Sequence, residues 1–180
     1  MCLLLGATGV GKTLLLKRLQ NILLLLKIHL CQKGEAADLG EPPATMPTVG
    51  TNLTDLTLRK RRVTVRELGG CMGPIWPSYF RDCTSVIFMV DSANITQISS
   101  SCIQLLCVLS AESLRSASVL VLFNKSDLQC TMSLEEMKSL FRIRDIIASA
   151  PQSITVLELS ARSGEGLQDI INWLDSNHPD

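Results

Sequence analysis

Residues Gly6, Ala7, Thr8, Gly9, Val10, Gly11, Lys12 and Thr13 spell G-x-x-x-x-G-K-[ST], the feature that most constrains what this chain can fold into. Such a loop holds phosphate. Its glycines let the backbone wrap closely, so that successive N–H groups point at anionic oxygens instead of pairing with each other. Lys12 supplies a point charge, and the Thr13 hydroxyl is placed to bind Mg²⁺. The helix expected next turns the positive end of its dipole toward the same oxygens. The flanks agree, because Cys2, Leu3, Leu4 and Leu5 read as a short buried parallel strand and an apolar helical pattern follows the loop.

Along the rest of the chain, strand and helix patterns alternate. A helix is predicted from about Gly11 through Leu19 and on toward Leu30, with residues 22–30 apolar almost all round. From Cys31 to Pro47 the composition shifts to a long loop, in which Pro42, Pro43 and Pro47 exclude regular structure. Thr51 to Leu58 and Val63 to Leu68 read as a hairpin around Arg59, Lys60, Arg61 and Arg62, a basic run expected to be a solvated turn. Val86 to Val90 and Ser118 to Phe123 read as buried strands. Thr96 to about Ser113 reads as a helix with Ile98, Cys102, Leu105, Leu106 and Leu109 on one face. Ser133 and Glu136 form a capping box, and Ile154 to Leu159 with Gly166 to Ser176 give a last strand and helix. This order predicts one α/β domain over residues 1–180, doubly wound, with a mostly parallel sheet and one antiparallel edge strand.

A second motif stands where an open α/β sheet binds its ligand. Asn124, Lys125, Ser126 and Asp127 read N-K-x-D at the carboxyl end of a buried strand. A carboxylate there accepts hydrogen bonds from N1–H and the exocyclic amine of guanine. Adenine offers neither, and leaving a buried charged group unpaired costs more than the ~1–3 kcal/mol of a neutral one. The pair of motifs therefore points to a guanine nucleotide, GTP or GDP, as the bound partner.

Taken together, Gly6 to Thr13, Thr48, Glu67 to Gly70, Asn124 to Asp127 and Ser160 with Ala161 resemble the Ras-like small GTPases over nearly the whole chain. Pro47-Thr48-Val49-Gly50, the paired Gly69-Gly70 and Val90-Asp91-Ser92 resemble the ADP-ribosylation-factor branch. That resemblance implies the P-loop GTPase fold and a Mg²⁺-dependent molecular switch. It implies that Thr48 closes over Mg²⁺ and the γ-phosphate, and that Gly70 offers its N–H to the γ-phosphate. It further implies that Ser160 and Ala161 contact the guanine oxygen through backbone and that Lys125 stacks along the base. Protein effectors, and exchange or activating factors, are the implied partners. Glu67 stands where the branch carries Asp near the metal, and Cys71 where it carries the glutamine that orients water. The stretch between Lys12 and Thr48 is also longer than in the branch, with the surplus around residues 22–37, and the branch's amphipathic N-terminal helix is not seen. Slow intrinsic hydrolysis is the expectation from Cys71.

Composition narrows the alternatives. Charged residues make up 19% of the chain and hydrophobic ones 46%, with net charge zero, which speaks against a general nucleic-acid binder or a disordered chain. Seven cysteines without a C-x-x-C pair fit a reducing, cytoplasmic setting. The apolar run after Thr13 is interrupted by Lys17, Arg18, Gln20, Asn21 and Lys27, short of a membrane span. Cys2 stands where N-myristoylation needs glycine, so any membrane association would need another signal. Two other readings compete with the switch. A P-loop kinase or ATPase would use the same loop, and Asn124 to Asp127 argue against it. A pseudo-GTPase scaffold is suggested by Glu67 and Cys71, and intact Lys12 and Thr13 argue against complete loss of binding.

Overall fold

A computed structural model of the protein describes residues 1–29, 39–59, 61–129 and 132–177. Six strands form one sheet in the order β2-β3-β1-β4-β5-β6, with β1 at Cys2–Gly6, β2 at Thr51–Thr57, β3 at Arg62–Leu68, β4 at Ser85–Asp91, β5 at Ser118–Asn124 and β6 at Ser153–Leu159. Every pairing is parallel except β2 with β3, whose register sets Thr54 opposite Val65. β2 is therefore the antiparallel edge expected from the hairpin, and much of it remains exposed.

The two-residue period of β1 divides the core. Leu3 and Leu5 face one layer with Trp76, Phe80, Phe88, Ile98, Leu105 and Phe141. Cys2 and Leu4 face the other layer, with Leu15, Leu19, Leu23, Ile170 and Leu174. That second layer contains α1 (Lys12–His29) and α5 (Leu167–Ser176). The first is covered by α2 (Ile95–Leu109), α3 (Leu134–Leu140), α4 (Ile143–Ser149) and a 3-10 helix at Gly70–Tyr79. Trp76 from the 3-10 helix meets Phe88 edge-on at 6.4 Å and donates its indole N–H to Gly69 O at 3.2 Å, so its polar edge is satisfied inside the core.

The local differences from the sequence reading have physical causes. α1 runs to His29, but its burial stops early. Leu15, Leu16, Leu19 and Leu23 are inside, whereas Leu24 is 59% and Leu26 43% exposed. Part of the lengthened stretch and most of the proline-rich loop's first half, residues 30–38, lie outside the described residues. α2 is rotated from the predicted face: Ile98, Ser101, Leu105 and Val108 are buried, and Leu106 is exposed. The capping box of Ser133 and Glu136 forms as predicted. Its helix then breaks at Arg142, in the left-handed region at φ 51°, before α4 begins. Nor is the basic hairpin tip merely solvated. Arg61 reaches Asp175 on α5 at 3.3 Å, and Arg62 pairs with Asp55, whose carboxyl it holds below the usual range together with Thr64.

Candidate functional site

In the strand order, β1 sits where the chain turns to one side for β3 and to the other for β4, and the crevice at the carboxyl ends of these strands is where such sheets take ligands. The loop from Gly6 to Thr13 fills that position between β1 and α1. Gly6, Gly9 and Gly11 have φ of +140°, +81° and +100°, a backbone path that side chains rarely adopt. Contact also demands glycine at Gly11, where a Cβ would lie 2.5 Å from Asn124 Nδ2.

Lys12 is nearly buried and folds back over the loop, donating to Gly6 O at 2.8 Å and Ala7 O at 2.9 Å. Burial pushes its ammonium pKa down to about 8, against a smaller opposing pull from the Glu67 carboxylate. A phosphate beside it would restore the charge. It lines a cavity of about 240 Å³ with Thr8, Thr13, Thr48, Glu67 and Gly70.

Three oxygens converge in this cavity. Thr13 Oγ1 lies 3.1 Å from Thr48 Oγ1 and donates to Glu67 Oε1 at 2.5 Å, and Thr48 Oγ1 donates to the same carboxylate oxygen at 3.1 Å. Adjacent ligands of an octahedral Mg²⁺ with bonds of 2.0–2.1 Å stand about 2.9 Å apart; the two 3.1 Å edges of this triangle are close to that spacing, and the Thr13–Glu67 edge, a direct hydrogen bond at 2.5 Å, is shorter. Among the described residues no group of three His, Cys, Asp or Glu side chains could hold a metal. The donor set instead suits a hard cation completed by phosphate oxygens and water. The extra methylene of Glu67, compared with aspartate, carries its carboxylate directly against both hydroxyls. Asn52 Nδ2 contacts its other oxygen at 3.5 Å.

Gly70 also lines this cavity, with Gly69 before it in the chain. A Cβ on Gly69 would lie 2.4 Å from Thr48 O, and one on Gly70 only 2.2 Å from Thr8 N. The paired glycines thus let the segments carrying Thr48 and Gly70 press against each other and against the phosphate loop. Cys71, the next residue, is exposed and its thiol is free.

Asn124, Lys125 and Asp127 line a second cavity, of about 230 Å³, with Gly11 and Arg162. Asn124 has another task that its motif does not reveal. Its Nδ2 donates to Val10 O at 2.7 Å and its Oδ1 accepts from Ala161 N at 2.9 Å, so it staples the phosphate loop to the Ser160–Ala161 turn. The N–H of Ser160 goes to Glu165 O at 3.0 Å. Both backbone donors that the resemblance assigns to the guanine oxygen are therefore engaged within the protein, because that turn is tied to its neighbours. The Ser160 hydroxyl donates to Oδ1 of the exposed Asp127 at 2.6 Å. Lys125, at φ 74°, ion-pairs with buried Asp91 at 2.6 Å. Asp91 was not singled out by sequence beyond its place in Val90-Asp91-Ser92.

Comparison with known proteins places the chain in a family and matches its fold to a solved structure. A match to the ADP-ribosylation factor family spans residues 1–178. Human ADP-ribosylation factor-like protein 16 is 59% identical over 178 residues, covering 99% of this chain and 86% of that protein. ADP-ribosylation factor-like protein 1 of Drosophila melanogaster is 31% identical over 176 residues, 97% of this chain and 86% of that one. Among solved structures, the Arl6 (BBS3) small GTPase of Trypanosoma brucei, with bound nucleotide analogue GppNp, superposes with a TM-score of 0.77. It is 18% identical and covers 97% of this chain and 94% of its own, a likeness of fold.

Proposed function

The chain belongs to the ADP-ribosylation factor family, and from that premise we propose that it is a Mg²⁺-dependent guanine-nucleotide switch. In this reading it hydrolyses GTP slowly on its own and engages protein effectors in one nucleotide state. The observation that carries the reading is the meeting of Thr13, Thr48 and Glu67 beside Lys12, with Gly70 against the phosphate loop. Thr48 and Gly70 come from two separate loops, so a ligand that touches both orders both. A bound Mg²⁺ would neutralise phosphate charge and share it with the Thr13 and Thr48 hydroxyls and the Glu67 carboxylate. Lys12 holds the terminal phosphate oxygens. Asp127, steadied by Ser160, selects guanine, while Lys125 lies along the base.

Water orientation is the weak point of this site. Cys71 presents a short thiol, a weak donor and weak acceptor, where an amide would hold the attacking water, so turnover falls while affinity is kept. Losing one such contact in the transition state costs ~10²–10³ in rate. Exchange or activating proteins would then set the lifetime of each state. The test is Asp127→Asn: guanine-nucleotide affinity measured by calorimetry should collapse in a protein that remains folded. Unchanged affinity would refute the base-reading role.

A further inference from the structure

Arg18 is 2% exposed in the middle of α1. A buried cation without compensation costs several kcal/mol, and such groups are ordinarily paired with a carboxylate. Among the described residues Arg18 has backbone carbonyls instead. Nη1 donates to Leu39 O at 2.5 Å and to Gly40 O at 3.1 Å, and Nη2 donates to Gly40 O at 3.1 Å. On the other side, Nη2 donates to Arg162 O at 2.8 Å and Nε to Ala161 O at 3.3 Å. The planar fork of guanidinium donors is shared between two segments far apart in sequence, an arrangement a lysine could not reproduce.

Both segments belong to the nucleotide site. Ala161 and Arg162 continue the turn that steadies Asp127 and is stapled by Asn124. Leu39 and Gly40 lie on the segment, here called the strap, that leads to Thr48. A second contact joins the same two segments: a Cβ on Gly164 would lie 2.5 Å from Leu39 Cδ1, so the leucine is seated on the turn where glycine leaves room for it. Lys17, the neighbour of Arg18 on α1, holds the strap again through Ala44 O at 3.1 Å.

We propose that Arg18 is a positioning residue that couples the base-binding turn to the strap carrying Thr48, so that release of guanine and loosening of the first switch occur together. The proposal rests on the guanine-nucleotide reading of the site. It assigns to α1, in addition to the phosphate contact at its beginning, a mechanical link between base and metal ends.

The test compares wild type, Arg18→Met, Arg18→Lys and Leu39→Ala by GDP release at saturating Mg²⁺ and by hydrogen exchange with and without GDP. Arg18→Met should speed GDP release by about ten- to a hundredfold, the range of ordinary coupling between sites. Arg18→Lys should fall between it and wild type. Exchange should rise together in residues 39–50 and 160–166, while β4 keeps its protection, which a general loss of stability would not produce. Should Arg18→Met fail to fold, Leu39→Ala, which leaves Arg18 in place, is expected to raise exchange in both segments. GDP release within twofold of wild type, or exchange that rises in one segment alone, would overturn the coupling. A wild type that holds no GDP would defeat the guanine reading, and the paired exchange in the nucleotide-free protein would still decide the role of Arg18.

Discussion

Gly70→Ala should separate GTP binding from GDP binding. The added methyl would lie 2.2 Å from Thr8 N, 2.5 Å from Ala7 C and 2.7 Å from Thr8 Cα, all backbone of the phosphate loop. That loop cannot yield, because Lys12 holds Gly6 O and Ala7 O and Asn124 holds Val10 O. The segment carrying Gly70 must retreat instead. Overpacking of this kind costs ~1–3 kcal/mol, and at 1.4 kcal/mol per tenfold this is about 5- to 150-fold in an equilibrium. In the proposed reading Gly70 meets the γ-phosphate only in the GTP state, so the ratio of GTP-analogue to GDP affinity should drop by that factor while GDP affinity changes little. Calorimetric titration of both ligands with Mg²⁺ measures it. Gly73→Ala is the control, since its Cβ would meet only Gln104 Nε2 at 3.6 Å, an ordinary contact. A Gly70→Ala protein that keeps the wild-type ratio within twofold would refute the argument.

Other expectations follow from the same geometry. Cys71→Gln should raise single-turnover hydrolysis of preloaded GTP by about 10²–10³-fold at matched Mg²⁺, and an unchanged rate would show that water is oriented elsewhere. Because burial sets the free Lys12 pKa near 8, below its ordinary 10.5, phosphate binding should draw a proton onto it above pH 8. Nucleotide affinity should then fall by up to about tenfold per pH unit above that point, with proton uptake visible as buffer-dependent heats. The same depression makes the nucleotide-free fold gain stability as pH rises from 8 to 10.5, since the unfolded chain holds the extra proton there. In α1, Leu23→Ala should cost about 2–5 kcal/mol in denaturant unfolding, because Leu23 is buried. Exposed Leu24→Gln should change stability by less than about 0.5 kcal/mol.

The phosphate loop and the N-K-x-D motif were legible because their chemistry depends on residue types at fixed short spacing, and the alternation of apolar runs placed them between β1 and α1 and at the carboxyl end of β5. What escaped the sequence depends on contacts across the chain. Asn124 as a staple needs Val10 and Ala161 brought to it, and Arg18 needs carbonyls from both Leu39 and Ala161. Neither leaves a periodic or spaced trace. The rotation of α2 was hidden because Ser101 is small enough to be buried while Leu106 is left outside. Arg61 and Arg62 looked like a solvated turn because their partners, Asp175 and Asp55, lie on α5 and across the hairpin. Cys2 read as a strand residue from its apolar neighbours, and its thiol is buried with a pKa pushed up to about 12.

The central claim is that this site selects a guanine nucleotide, and calorimetry of the purified, nucleotide-free protein with GDP and with ATP in Mg²⁺ tests it most directly. Asp127, held by the Ser160 hydroxyl and lining the cavity beside Lys125, predicts GDP binding tighter than ATP by several kcal/mol, a hundredfold or more at about 1.4 kcal/mol per tenfold. ATP binding as tight as GDP would contradict the account.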